Sequence, residues 1–160
     1  LASSGLHSNG FSLVRKVLDQ NHIKYDQMVG ELDLAQELLK PTRIYVGNIL
    51  KLFQEVTVRG IAHITGGGIV ENVPRILPQQ LGILLFKKTI HTPEIFSLLQ
   101  EIGKIPETEM WRTFNMGVGM ILIIEKSEVN KALHLLNENG ESAYLIGEVI
   151  SGQERVKWSE

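Results

Sequence analysis

The sequence predicts an α+β domain in which β-α-β units build a mixed or largely parallel sheet with helices packed on it. Three observations carry this. Apolar runs of strand length alternate with segments of helical period. Glycine or proline stands at most junctions between them. The chain has 160 residues, near one domain on a prior of about 150, and no linker divides it.

The elements follow in order. Phe11, Val14 and Leu18 share one helix face, with Leu13 and Val17 beside them, and Ser8 or Asn9 can cap the first turn. A polar stretch from Gln20 to Tyr25 ends that helix. Asp33 can cap a short helix through Leu39, which must stop before Pro41. Ile44-Tyr45-Val46 is a short strand or a lead-in to the helix carrying Ile49, Leu50 and Phe53. Ile61 to Ile64 reads as a strand, and a helical piece broken at Pro74 follows Gly66-Gly67-Gly68. Leu81 to Phe86 is a buried strand. Thr92 caps and Pro93 opens a helix to Ile102, with Gly103 past its end. Pro106 to Thr113 is another helical turn or two, and Gly119 to Glu125 a strongly apolar strand. Ser127 caps a helix that Gly140 ends, with Val129, Leu133 and Leu136 facing inward. Ala143 to Ile150 is expected as a last core strand, and Gln153 to Glu160 as a polar tail.

Composition excludes several classes. Apolar residues make up 43% and charged residues 21%, which is ordinary for a globular domain and rules out long disorder. Without cysteine there is no disulfide, thiolate zinc site or thiol nucleophile; a reducing, cytoplasmic location is expected. Lys and Arg number 16 against 18 Asp and Glu, so no nucleic-acid partner is expected. The longest apolar run, Gly117 to Ile124, falls short of the roughly 18 residues of a membrane span. The opening Leu1-Ala2-Ser3-Ser4-Gly5 reads as part of a longer polypeptide.

Three glycine-bearing clusters can carry chemistry. Ser4-Gly5-Leu6-His7-Ser8-Asn9-Gly10 precedes the first helix, where small polar side chains and free N–H groups suit an anion. An ordinary helix cap explains it as well. Ile61 to Gly68 runs from a strand into three glycines, whose N–H groups can approach a phosphate without Cβ interference. It is no nucleotide P-loop, since no Gly-Lys-Ser/Thr follows, and Glu71 replaces the third glycine of a dinucleotide fingerprint. A single tight turn needs fewer than three consecutive glycines, which favours a ligand role. Arg112 to Gly119 joins a guanidinium, a hydroxyl and an amide to two glycines. Arg can clamp phosphate bidentately, but a surface Arg beside a bend fits equally.

Other constellations fail. The five histidines show no metal-ligand spacing. His22, His91 and His134 read as surface residues, and His63 as a hydrogen-bonded core histidine unless its place before the glycines serves a ligand. There is no nucleophile elbow and no base-stacking platform, and Glu107 and Glu109 read as a solvated face.

Taken together, residues 4–15, 41–46, 62–78 and 112–120 resemble the C-terminal half of the phosphoribosylformylglycinamidine cyclo-ligase family, also called aminoimidazole ribonucleotide synthetases. The likeness covers nearly the whole chain in order; Phe11 stands where the family often has Tyr. The resemblance implies a partly ferredoxin-like sheet and places residues 1–160 as the C-terminal domain of a two-domain, homodimeric enzyme. The N-terminal ATP-binding domain would lie outside this chain. The implied reaction uses ATP and Mg2+ to close the imidazole ring of a small ribonucleotide. The implied binding residues are Ser8, Asn9, Gly10, Thr65, Gly66, Gly67 and Gly68, with Arg112, Thr113 and Asn115 facing the other domain. His7 and His63 are the implied catalytic candidates, and Mg2+ is expected upstream because no carboxylate cluster stands out here. On this reading Asn115→Ala should lower turnover more than stability. Two alternatives stay open: a superfamily relative such as a small-molecule kinase or selenophosphate synthetase, and a fragment that binds without turnover.

Overall fold

Helix α1, Phe11–Gln20, forms because Val14, Val17 and Leu18 recur on one face and become buried, while Arg15, Lys16 and Asp19 stay exposed. The computed structural model describes residues 1–159. A two-strand hairpin follows, β1 (Met28–Val29) and β2 (Leu32–Asp33), turning through Gly30 at φ 60°. Helix α2, Leu34–Leu39, is capped by Asp33, whose carboxylate accepts from the Gln36 N–H. Helix α3 spans Val46–Leu52, so Ile44 and Tyr45 lead in rather than form a strand.

Strand β3, Val58–His63, pairs antiparallel with β5, Met120–Ile124, setting Ala62 opposite Ile121. Side chains alternate across this pair. Ala62, Ile64 and Ile121 join one core with α1, Phe96, Leu99 and Phe114. Ile61, Leu122 and Ile124 face a second core built on Tyr45, Ile49, Leu52, Ala132 and Leu136. After β3 come α4, Gly68–Asn72, and a 3-10 turn from Val73, with Pro74 at the break as expected.

Strand β4, Leu81–Phe86, lies between β6 (Gly147–Ser151, antiparallel) and β7 (Val156–Ser159, parallel). Helices α5 (Glu94–Gly103), α6 (Glu107–Thr113) and α7 (Val129–Glu138) complete the order. Phe96 and Leu99 of α5 are fully buried, contributing about 1.5–3 kcal/mol each. Among the described residues no helix is long and apolar enough to cross a membrane.

The α+β class holds, with corrections. The sheet is not largely parallel: the strands form separate small sheets, and β4–β7 is the one parallel pair described. Ile76 lies over Gly60, on β3, and the chain then enters another sheet. The last core strand begins at Gly147, not Ala143, and is a half-exposed edge. The supposed polar tail contains β7, because Val156 and Trp158 pack on the main core between charged neighbours; Glu160 lies outside the described residues. Three caps also differ. Gly10, at φ 70°, takes the α1 cap position with no side-chain bond, so neither Ser8 nor Asn9 caps. Pro93 replaces Thr92 as the α5 cap, and Gly103 is inside that helix with Lys104 left-handed after it. Ser127 sits in a 3-10 turn before α7. Of the α7 residues expected inward, Leu136 is buried, whereas Val129 and Leu133 are half-buried.

Arg155 secures β7. Its guanidinium donates to the carbonyls of Pro78 at 2.6 Å, Leu81 at 2.8 Å and Leu77 at 3.0 Å, and also to Pro74. Arg155→Ala is expected to destabilise the domain by about 1–3 kcal/mol, lowering the melting temperature by roughly 5 °C. An unchanged melting temperature would show that these bonds are not what holds β7.

Candidate functional site

The three glycine-bearing clusters meet on the main core. The first five residues run beside the approach to β5: Ala2 bridges Val118, and the Ser3 N–H donates to the Gly117 carbonyl at 2.8 Å. Asn115, with no exposed surface, locks this arrangement. Its amide donates to the Gly5 carbonyl at 2.8 Å and the Leu6 carbonyl at 3.2 Å. Its oxygen accepts from the Gly117 N–H at 2.8 Å and the Ser3 hydroxyl at 3.0 Å. Asn115 therefore holds the first cluster against the third, with its amide fully engaged.

The first cluster meets the second through Asn9, whose amide donates to the Ile64 carbonyl at 3.2 Å. Gly10 packs on Thr113 and Phe114, where a Cβ would overlap the Phe114 ring. Ser8 is exposed, with its hydroxyl 3.4 Å from that of Thr42.

His7 is buried and sits at φ 55°, a conformation costly for a non-glycine residue. Its Nε2 accepts N–H bonds from Ser4 at 3.1 Å and Arg43 at 3.4 Å. The neutral ring therefore carries its proton on Nδ1, which is buried with no partner among the described residues. Burial first, then the neighbouring His63 and Arg43, push its pKa below the ordinary imidazole value. The rings of His7, Tyr45 and His63 form a triangle with centroids 6.3–6.5 Å apart. His63 is exposed, not the core histidine expected. Tyr45 donates to the Ala2 carbonyl at 2.8 Å, and burial raises its phenol pKa strongly.

In the second cluster the buried Asn72 organises the triglycine. Its oxygen accepts from the Thr65 hydroxyl at 3.0 Å and the Thr65 N–H at 3.3 Å. Its amide donates to the carbonyls of Gly68 at 2.8 Å and Gly66 at 3.1 Å. The Gly68 N–H closes a turn onto the Thr65 carbonyl, while those of Gly66 and Gly67 donate to no acceptor among the described residues. Glycine is required at two positions. Gly67 has φ 98°, and a Cβ on Gly68 would overlap the Trp111 carbonyl. Glu71 lies against Gly67, with Arg75 3.5 Å and Arg112 3.4 Å from its carboxylate.

Arg112 is thus brought to the triglycine through Glu71 and is itself exposed. Thr113 instead bonds Glu109 at 3.0 Å. The sequence reading missed Asn72, Tyr45 and Glu71, along with the buried Glu141, which pairs with Arg43 at 3.0 Å. Asn72 lies close to Thr65 in sequence, but Arg43 and Glu141 share no local pattern. No group of three His, Asp or Glu residues placed to hold a metal occurs among the described residues. Two surface hollows, lined by residues 53–58 and 19–26, contain none of the candidate residues.

Comparison with known proteins decides the family. Residues 1–159 match the model described as AIR synthase related protein, C-terminal domain. The chain belongs to this family. It is 51% identical to the phosphoribosylformylglycinamidine cyclo-ligase of Coxiella burnetii over 154 residues, covering 96% of this chain and 44% of that protein. The same-named proteins of Pseudothermotoga lettingae and Thermodesulfovibrio yellowstonii are 49% and 52% identical, each with 46% of its length covered. The chain thus spans a little under half the length of these curated relatives. This AIR synthase related domain therefore matches the resemblance drawn from its glycine clusters.

Two outcomes follow from the geometry. Asn115→Ala orphans buried backbone groups on both sides, so it should cost about 3 kcal/mol and lower the melting temperature by roughly 6–12 °C. That reverses the order expected from the sequence, and a melting temperature within a degree or so of wild type would restore it. The depressed His7 pKa makes the unfolded chain bind more protons just below the ordinary value of 6.5, so this contribution is present above that pH and is lost as pH falls. Melting curves below pH 6.5 should therefore fall less steeply for His7→Asn than for wild type. Parallel curves would contradict a buried neutral His7.

Proposed function

We propose that this chain is the C-terminal domain of an ATP-dependent cyclo-ligase that converts formylglycinamidine ribonucleotide to aminoimidazole ribonucleotide. The observation that carries the proposal is the convergence of the three glycine-bearing clusters in a chain half identical to proteins named for that activity. ATP, a substrate, supplies the phosphoryl group that activates the formyl amide oxygen. An amidine nitrogen then attacks the activated carbon, phosphate leaves, and the ring closes. Such chemistry requires charge to be held and reacting atoms to be positioned.

In this reading the Gly66 and Gly67 N–H groups, with the Ser8 hydroxyl, hold phosphate oxygens, while Thr65, whose hydroxyl is donated to Asn72, shapes the loop that presents them. Arg112 offsets the Glu71 carboxylate beside them and is available to the ligand. Asn9, Gly10, Gly68, Thr113 and Asn115 position these groups. His7, buried and neutral with its Nε2 occupied, holds the first loop in place, and the exposed His63 is the catalytic candidate that can reach a ligand. Mg2+ would be held by phosphates and by carboxylates outside this chain. The enzyme is proposed to be cytoplasmic and homodimeric. The partly ferredoxin-like arrangement would be assembled from the β3–β5 and β6–β4–β7 ladders. This chain alone is proposed to bind ligand without turnover, because the relatives carry more than half of their length elsewhere.

The test is ADP release with ATP, Mg2+ and formylglycinamidine ribonucleotide. The longer polypeptide should release ADP only when the ribonucleotide is present, and residues 1–160 alone should release none. If the longer polypeptide makes ADP only with another acceptor, the reaction class is wrong. Gly67→Val in the longer polypeptide should raise KM at least about tenfold, because φ is strained and the side chain meets Glu71. An unchanged KM would remove the triglycine from ligand binding.

A further inference from the structure

Helix α3 buries Ile49 and Leu52 in the second core, with Tyr45 before its first turn. An amphipathic surface helix should then be polar on its remaining face. Instead Val46, Leu50 and Phe53 recur at i, i+4 and i+7 and remain 62%, 57% and 49% exposed. Ile44, just upstream, is 83% exposed. Single exposed apolar residues are ordinary, but a stripe along one helix marks a surface that something covers. Helix α1 shows the contrast, with Arg15, Lys16 and Asp19 on its outer side.

We propose that this α3 stripe is the docking surface for the preceding half of the longer polypeptide, the part that the curated relatives carry beyond the span matched here. The matched family domain is a C-terminal one, so that length comes before it. Leu1 is buried in the same second core as Tyr45, Ile49 and Leu52, and Tyr45 bonds the Ala2 carbonyl. A segment preceding Leu1 therefore leaves from beside α3. Such a tether holds its domain at an effective concentration on the order of millimolar. A few apolar side chains cover only part of the roughly 800 Å² per partner that a standard free complex buries. A tethered domain needs less area than a free second copy does. Tyr45 also links the stripe to the candidate site, with its ring 6.3 Å from His7 and 6.4 Å from His63. The docked half would border those rings and supply the second wall of the site. The inference rests on family membership and chain length, so it can fail while the ring-closing reaction stands.

The test is photo-cross-linking in the longer polypeptide with Leu50→p-benzoylphenylalanine, and with Val149→p-benzoylphenylalanine on β6 as control. Irradiation of the position-50 variant should give an adduct at single-chain mass. Its cross-linked peptide should map to residues preceding Leu1, and the control should give none there. An adduct at twice the chain mass would assign the stripe to a second copy and overturn the proposal. So would adducts confined to residues 1–160, or none at all. Leu50→Glu supplies a second reading. A charge buried in the contact should loosen it, so the segment before Leu1 should be cut by protease about tenfold faster. An unchanged cleavage rate would count against docking.

Discussion

One buried amide holds the candidate site together. Asn115 has no exposed surface, yet it joins the Gly5 and Leu6 carbonyls of the first loop to the Gly117 N–H before β5. Buried backbone groups must find partners, and here one side chain serves three of them. With the first loop held, His7 and Asn9 have defined positions. Asn9 then reaches the Ile64 carbonyl at the end of β3, immediately before the triglycine. Asn72 repeats the device one loop further, fixing Thr65 and the Gly66 and Gly68 carbonyls. Side-chain amides thus shape the loops and leave the Gly66 and Gly67 N–H groups without acceptors among the described residues.

The β3–β5 pair explains how these loops sit between two cores. One face supplies Ala62, Ile64 and Ile121 to the main core, and the other supplies Ile61 and Leu122 to the core under α3 and α7. His63 ends β3, so it comes level with Tyr45 at the start of α3 and with His7 in the first loop. The buried Glu141 carboxylate pairs with the partly exposed Arg43 and secures the lead-in to α3, so losing the arginine would leave a buried carboxylate without its ion-pair partner. Arg43 also donates its N–H to His7, so the ion pair and the histidine share one framework.

Local features were legible in the sequence. Asp33 caps α2, Pro41 follows its end, and Pro74 marks the change from α4 to a 3-10 turn. Each depends on neighbours a few residues away. Strand pairing was less legible because it joins distant residues: β3 meets β5 across the whole of β4, α5 and α6. The β7 strand was hidden by charged neighbours of Val156 and Trp158, whose partners lie on β4 and α6. The glycine clusters were legible as three separate loops, and the structure brings them together. The division between ligand-facing and loop-holding groups was not visible. Asn115 and Arg112 stand three residues apart, yet one is buried and the other exposed.

The proposed anion-binding face is assembled from separate loops. Amide chemical shifts recorded during titration with inorganic pyrophosphate test it most directly. The amides of Ser8, Gly66 and Gly67 should shift together along one binding curve, with Asn115 and Asn72 keeping their positions as fixed supports. Independent curves for the two loops, or shifts confined to exposed Lys and Arg elsewhere, would contradict a shared face.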